Sequence, residues 1–113
     1  MPKFYKYPKS IARELILEAK SLSFHSWLDE LDCSVSFCRK STEKTLDEII
    51  HLCETNSAHF TLIERSDSIG RFHDHERYYE IGASTLGIGV NYFIWILVSI
   101  ENGEKLIKKY ELS

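Results

Sequence analysis

The stretch that decides the fold is Asn91–Ile100, NYFIWILVSI, in which eight of ten residues are apolar. Its aromatic and β-branched residues favour a strand. One parity consists of Phe93, Trp95 and Leu97, and the other of Ile94, Ile96 and Val98. A strand that is apolar on both parities is covered on both of its faces. We therefore expect this segment to be a central strand of a sheet.

Further strands are predicted on both sides of this one. HFTLIER at His59–Arg65 and RYYEIGASTL at Arg77–Leu86 precede it. Asn102-Gly103 follows it, and an Asn-Gly pair is a strong signal for a two-residue hairpin. A last strand is therefore expected over Glu104–Leu112. Successive strands with short connections predict an antiparallel meander.

The N-terminal part of the chain has a helical pattern. Pro8 favours an extended lead-in, and Ser10 is predicted to be the N-cap of a helix over residues 11–21. Apolar residues then recur at helical spacing and predict a second short helix or a continuation of the first. These residues are Phe24, Trp27, Leu28 and Leu31.

The clearest helix follows a short strand predicted over Cys33–Arg39. Ser41 or Thr42 is expected to cap this helix. Its apolar stripe is formed by Leu46, Ile49, Ile50 and Cys53. Asn56 is expected to end it in the left-handed conformation.

Together these elements predict one α+β domain over residues 1–113. Two or three N-terminal helices would pack on one face of a mostly antiparallel, four- to five-stranded sheet. The length of 113 residues suits a single domain. The N-terminal lysines are not followed by the apolar run of a secretory signal, and an odd count of three cysteines does not suit a disulfide framework. We therefore expect a cytoplasmic protein that does not bind membranes.

One stretch has the composition of a metal site. His73 and His75 are two residues apart, so in a strand both imidazoles would lie on one face. His59 or Glu64 could then add a third ligand and leave a position open, as in catalytic zinc sites. The spacing marks no further ligand, so a solvated loop is the favoured interpretation and no metal is predicted.

Nucleophilic and cofactor chemistry have weaker signals. Cys38 precedes a capped helix, where the helix dipole could lower a thiol pKa. A structural thiol is the simpler interpretation. The glycines at 82, 87 and 89 match neither a phosphate loop nor a dinucleotide fingerprint. The sequence thus predicts no catalytic residue and no cofactor.

Charge placement is the strongest functional signal. Residues 21–60 carry seven acids and three bases, and the whole chain has a net charge of −3. The seven acids are predicted to lie on the outward sides of two helical stretches and to form a partner-binding acidic face. They are Asp29, Glu30, Asp32, Glu43, Asp47, Glu48 and Glu54. A merely solvated helix face is the alternative interpretation.

These features favour a non-catalytic protein-binding domain. The specific hypothesis is an inhibitor of the bacterial immunity or antitoxin kind, whose carboxylates cover the basic site of a nuclease-like toxin domain. Net acidity argues against direct nucleic-acid binding. The alternatives are a small His-dependent enzyme, with or without a metal, and a structural subunit that forms homo-oligomers through a sheet edge.

Overall fold

The computed structural model describes residues 3–32, 39–40, 45–56, 58–66, 70, 76–85 and 90–113. The helices are α1 (Lys9–Leu22), α2 (Leu46–Thr55) and α3 (Ile100–Lys109). The strands are β1 (Phe4–Lys6), β2 (His25–Asp32), β3 (Arg39–Lys40), β4 (His59–Ser66), β5 (Arg77–Ser84) and β6 (Val90–Ser99). They form one sheet in the order β1-β4-β5-β6-β2-β3, and each neighbouring pair is antiparallel. The α+β class is confirmed.

Strand β6 is an interior strand, as its sequence predicts. It pairs with β5 on one side and with β2 on the other. Its residues Ile94, Ile96 and Val98 are fully buried. On the opposite parity Phe93 and Trp95 are half-buried. The two faces of β6 are therefore covered to different extents.

All three helices contribute to one hydrophobic core. The strands supply Leu62, Tyr79, Ile81, Ile94, Ile96 and Val98, and the helices supply Leu15, Ile16, Ile49, Ile50 and Leu106. Each of these side chains is essentially inaccessible to solvent. Burial of one such aliphatic side chain stabilises a fold by about 1.5–3 kcal/mol. The core therefore fixes the positions of the helices relative to the sheet.

Helix α1 begins earlier than predicted. Its N-cap is Pro8, not Ser10, and its first turn starts at Lys9. Proline suits this position because its fixed φ and missing N–H do not disturb a helix start. Ala12, Leu15, Ile16 and Ala19 form its buried stripe.

Strand β2 replaces the second helix that the spacing predicted. Trp27 lies opposite Trp95 and Leu28 lies opposite Ile94 in the antiparallel register. The apolar residues Phe24, Trp27 and Leu28 fit the spacing of a helix and also that of a strand. The segment is too short to distinguish a period of 3.6 residues from a period of two. Pairing with the apolar strand β6 decides the outcome in favour of a strand.

Helix α2 begins at Leu46 with Thr45 as its N-cap. The residues predicted to cap it, Ser41 and Thr42, lie outside the described residues. Most of the strand predicted at 33–39 also lies outside them, and β3 begins at Arg39. Asn56 ends the helix in an extended conformation with φ −119°, so the predicted left-handed ending is wrong.

Helix α3 replaces the predicted hairpin and last strand. Ser99 caps it by accepting a hydrogen bond from the Asn102 N–H at 3.2 Å. Gly103 is buried within the helix, and a Cβ there would lie 2.6 Å from Cγ of the Tyr79 ring. The glycine therefore permits a close helix–sheet approach and does not form a turn.

The positions of α2 and α3 correct the predicted order of elements. The helices are not confined to the N-terminal part, since α3 follows the last strand. The sheet has six strands when the two-residue β3 is counted, against four to five predicted. In the described part of the chain, no helix is both long enough and apolar enough to cross a bilayer.

Candidate functional site

Helix α2 carries the three predicted partner-binding acids whose side chains the structure describes, Asp47, Glu48 and Glu54. Asp47, Glu48, His51 and Leu52 line a shallow cavity of about 280 Å³. Glu48 also forms a capping box with Thr45 at the start of the helix. The Glu48 N–H donates to Thr45 Oγ1 at 3.2 Å, and Glu48 Oε1 accepts from the Thr45 N–H at 3.3 Å. A capping box satisfies two helix N–H groups that would otherwise lack partners. The cavity therefore lies on a helix whose start is well fixed.

Arg13 of α1 binds two of the predicted partner-binding acids. Its guanidinium donates to Glu54 Oε1 at 2.8 Å and also to Asp47. Both hydrogen bonds raise the pKa of Arg13, and the one to Glu54 has the larger effect. The Asp47 side chain nevertheless stays 74% exposed, whereas that of Glu54 is 23% exposed. Asp47 thus remains accessible to a partner, and Glu54 serves mainly to join α1 and α2.

Four of the seven predicted partner-binding acids lie where the structure describes no side chain. Asp29, Glu30 and Asp32 lie on strand β2 and not on a helix. Glu43 lies outside the described residues. Among the described side chains, the predicted acidic face comprises Asp47, Glu48 and the paired Glu54, and its other members stay a prediction.

The stretch considered as a possible metal site lies largely outside the described residues. His73 and His75 are both outside them, so neither the solvated loop that we favour nor the alternative of a metal site is tested. Of the two proposed additional ligands, His59 is exposed at the start of β4, and Glu64 is nearly buried and bound by Arg77. Within the described ranges, no three His, Cys, Asp or Glu side chains lie close enough together to hold a metal ion.

Of the two cysteines considered for reactivity or packing, the structure describes only Cys53. Cys38, the candidate reactive thiol, lies outside the described residues. Cys53 is fully buried in α2, and burial raises the pKa of its thiol to about 11. A thiol in that state is a poor nucleophile at neutral pH. Cys53 therefore acts as a small apolar core residue, as the helical stripe predicted.

An aromatic cluster on the sheet was missed at the sequence level. The rings of Trp27 and Trp95 are 4.7 Å apart in an edge-to-face arrangement, and Phe93 packs on Trp95 at 5.4 Å. Trp27 is 41% exposed. The interpretation of residues 24–31 as a helix hid this cluster, because it did not place Trp27 beside β6. Reading the same residues with a period of two would have placed it there.

Comparisons with protein-family models, with curated proteins and with solved structures find no match for this chain.

Proposed function

We propose that this chain is a small, non-catalytic, cytoplasmic protein-binding domain of the immunity or antitoxin kind. Its α2 surface would cover a basic site on a nuclease-like toxin domain. The observation that carries the proposal is the cavity on α2, where the exposed carboxylate of Asp47 and that of Glu48 flank the apolar side chain of Leu52. Carboxylates around an apolar centre can combine charge complementarity with apolar burial.

The rigidity of this surface supports a binding role. Ile49, Ile50 and Cys53 anchor α2 in the core, and Arg13 holds the Asp47 carboxylate in place. Groups that are ordered before binding lose less conformational entropy when a partner docks. The surface therefore offers fixed negative charge to a Lys- or Arg-rich site.

Charge removal within the cavity tests the proposal. The double variant Asp47→Asn, Glu48→Gln removes two charges, and glutamine at 48 can still close the capping box. The probes are purified basic nuclease domains and neutral domains of similar size, titrated calorimetrically at low and at high salt. We expect a salt-sensitive complex with a basic domain and an affinity about tenfold lower for the variant.

The matched control removes two charges elsewhere. Glu76 and Glu101 are exposed, and the variant Glu76→Gln, Glu101→Gln has the same net charge as the test variant. Its affinity is expected to stay within about twofold of the original. Equal weakening by both double variants, or no complex with any basic domain, would contradict the proposal.

A second candidate is an oligomerising structural subunit, and the exposed Trp27 ring beside Trp95 favours it. Two copies that buried this cluster would remove a large aromatic surface from water. Sedimentation would then give a mass near twice 13.2 kDa. Trp27→Lys should return the monomer, while Leu17→Lys, at an equally exposed position on α1, should not. A monomer at all concentrations excludes this candidate.

A further inference from the structure

A second cavity lies at the opposite end of α2 from the acidic one. It measures about 450 Å³ and is bordered by the end of β1, the start of α1, the end of α2 and the start of β4. Basic and amide side chains on its wall are those of Lys6, Lys9, Asn56 and His59. Cavities of about 300–1,000 Å³ are typical of small-molecule sites. The volume therefore suits a small ligand.

The charges around this cavity favour an anion. The side-chain ammonium groups of Lys6 and Lys9 have no hydrogen-bond or ion-pair partner within the residues that the structure describes. Glu54 is the one carboxylate on the described wall, and Arg13 neutralises it through the contact at 2.8 Å. Two lysines thus line a cavity whose one described carboxylate is already paired with a cation.

Two helix ends border the cavity, and their partial charges have opposite signs. The positive end of α1 starts at Lys9, its N-cap Pro8 supplies no side-chain hydrogen bond, and its first turn contains no acid. The negative end of α2 lies across from it. Its Leu52 carbonyl accepts hydrogen bonds from the Asn56 backbone N–H and from Asn56 Nδ2, at 3.1 and 2.6 Å. These bonds reduce the partial charge that a ligand would meet there.

We propose that this cavity binds a small phosphate-bearing anion. Lys6 and Lys9 would bind the phosphate oxygens, and His59 would contribute a ring N–H. A phosphomonoester carries about −1.5 to −2 charges at neutral pH, which two lysines can balance. The local sequence agrees with this, because residues 1–20 carry five bases and two acids although the whole chain is acidic.

Calorimetric titration at low salt tests the site with defined probes. These are inorganic phosphate, AMP as a phosphomonoester, and succinate as a dicarboxylate. We expect phosphate and AMP to bind and succinate to bind at least about tenfold more weakly. Tighter binding of AMP than of phosphate would indicate that the cavity also contacts the organic group. Equal binding of succinate, or no binding of phosphate or AMP at millimolar concentration, would overturn the proposal.

Two double variants separate this site from a general effect of charge. Lys6→Gln, Lys9→Gln should lower phosphate affinity at least about tenfold, because it removes both cationic contacts. Lys105→Gln, Lys108→Gln removes the same charge from exposed positions of α3 and should change the affinity by less than about twofold. Circular dichroism checks that both remain folded. Equal losses of phosphate affinity in the two variants would overturn this proposal. The proposed protein-binding role of the acidic cavity on α2 would not be affected.

Discussion

Helices α2 and α3 pack on the same core in different ways. α2 enters it with Ile49, Ile50 and Cys53, and a capping box fixes its start. α3 has one fully buried large side chain, Leu106, and approaches the sheet through Gly103 on the Tyr79 ring. Charged side chains complete its attachment. Lys3 binds Glu104 at 3.2 Å and Lys109 binds Glu18 at 2.5 Å.

This difference determines which charges a partner could use. Charges of α3 hold the helix to α1 and to the N-terminal segment, so changing them alters the fold's own contacts. α2 is held mainly by apolar burial, which leaves the carboxylates at 47 and 48 less important for stability. We therefore expect substitutions at the α3 interface to act on stability and substitutions on the outer side of α2 to act on binding.

The largest effect is expected for Gly103→Ala. A Cβ at this position would lie 2.6 Å from Cγ and 2.9 Å from Cβ of Tyr79. Overpacking costs about 1–3 kcal/mol, and contacts this close to a buried ring belong at the upper end of that range. Alanine regains about 1 kcal/mol over glycine within a helix. Urea unfolding should show a net loss of about 2 kcal/mol.

The control for this variant is Lys105→Ala, two residues further along α3. Its side chain is 67% exposed, so the substitution should change stability by less than about 0.5 kcal/mol. If Gly103→Ala were as stable as the original chain or more so, the close helix–sheet approach would be wrong.

The same glycine explains where sequence reasoning failed. Asn102-Gly103 has the chemistry of a hairpin turn, and only its proximity to Tyr79 in the folded chain gives Gly103 a different role. The apolar run of β6 needed no such information, because its composition alone predicts an interior strand. The acidic site was only partly predictable for a similar reason. Asp47 and Glu48 follow from the helical pattern of α2, but Asp29 and Glu30 were assigned to a helix by a spacing that strand pairing overrode.

Removing the cap of α2 should have the next largest effect. Thr45→Ala eliminates the side-chain acceptor for the Glu48 N–H and should lower stability by about 1 kcal/mol. Glu48→Gln keeps an acceptor in the capping box and should cost much less. No loss for Thr45→Ala in urea unfolding, with a clear loss for Glu48→Gln, would mean that the charge of Glu48, and not the cap, stabilises α2.

The ion pairs of α3 predict a loss of stability in acid. Hydrogen bonds from Lys109 and, with a smaller effect, from Tyr110 lower the pKa of Glu18. Hydrogen bonds from Lys3 and, with a smaller effect, from Tyr79 lower the pKa of Glu104. A carboxyl whose pKa is lower in the folded state stabilises the fold above its unfolded pKa. That contribution is lost as the pH falls through the folded pKa.

A double variant isolates this contribution. Glu18→Gln, Glu104→Gln should be less stable than the original chain at pH 7, by less than about 1 kcal/mol for each exposed pair. The difference should shrink below pH 4.5, the ordinary pKa of a glutamate side chain, and vanish in stronger acid. Glu101→Gln, at a side chain that is 82% exposed, serves as the control and should show no such pH dependence. A difference that stays constant down to low pH would contradict the assignment.

The smallest effect on stability is expected for Asp47→Asn. This substitution removes a carboxylate that is 74% exposed and leaves Arg13 bound to Glu54. Exposed ion pairs contribute about 0–1 kcal/mol, and the remaining partner keeps the guanidinium satisfied, so urea unfolding should detect a loss of about 0.5 kcal/mol or less. A loss as large as that of Thr45→Ala would place Asp47 among the structural charges, as on α3. An unchanged stability combined with weaker binding of a basic partner would show that α2 is held by its apolar side and leaves its outer carboxylates available for recognition.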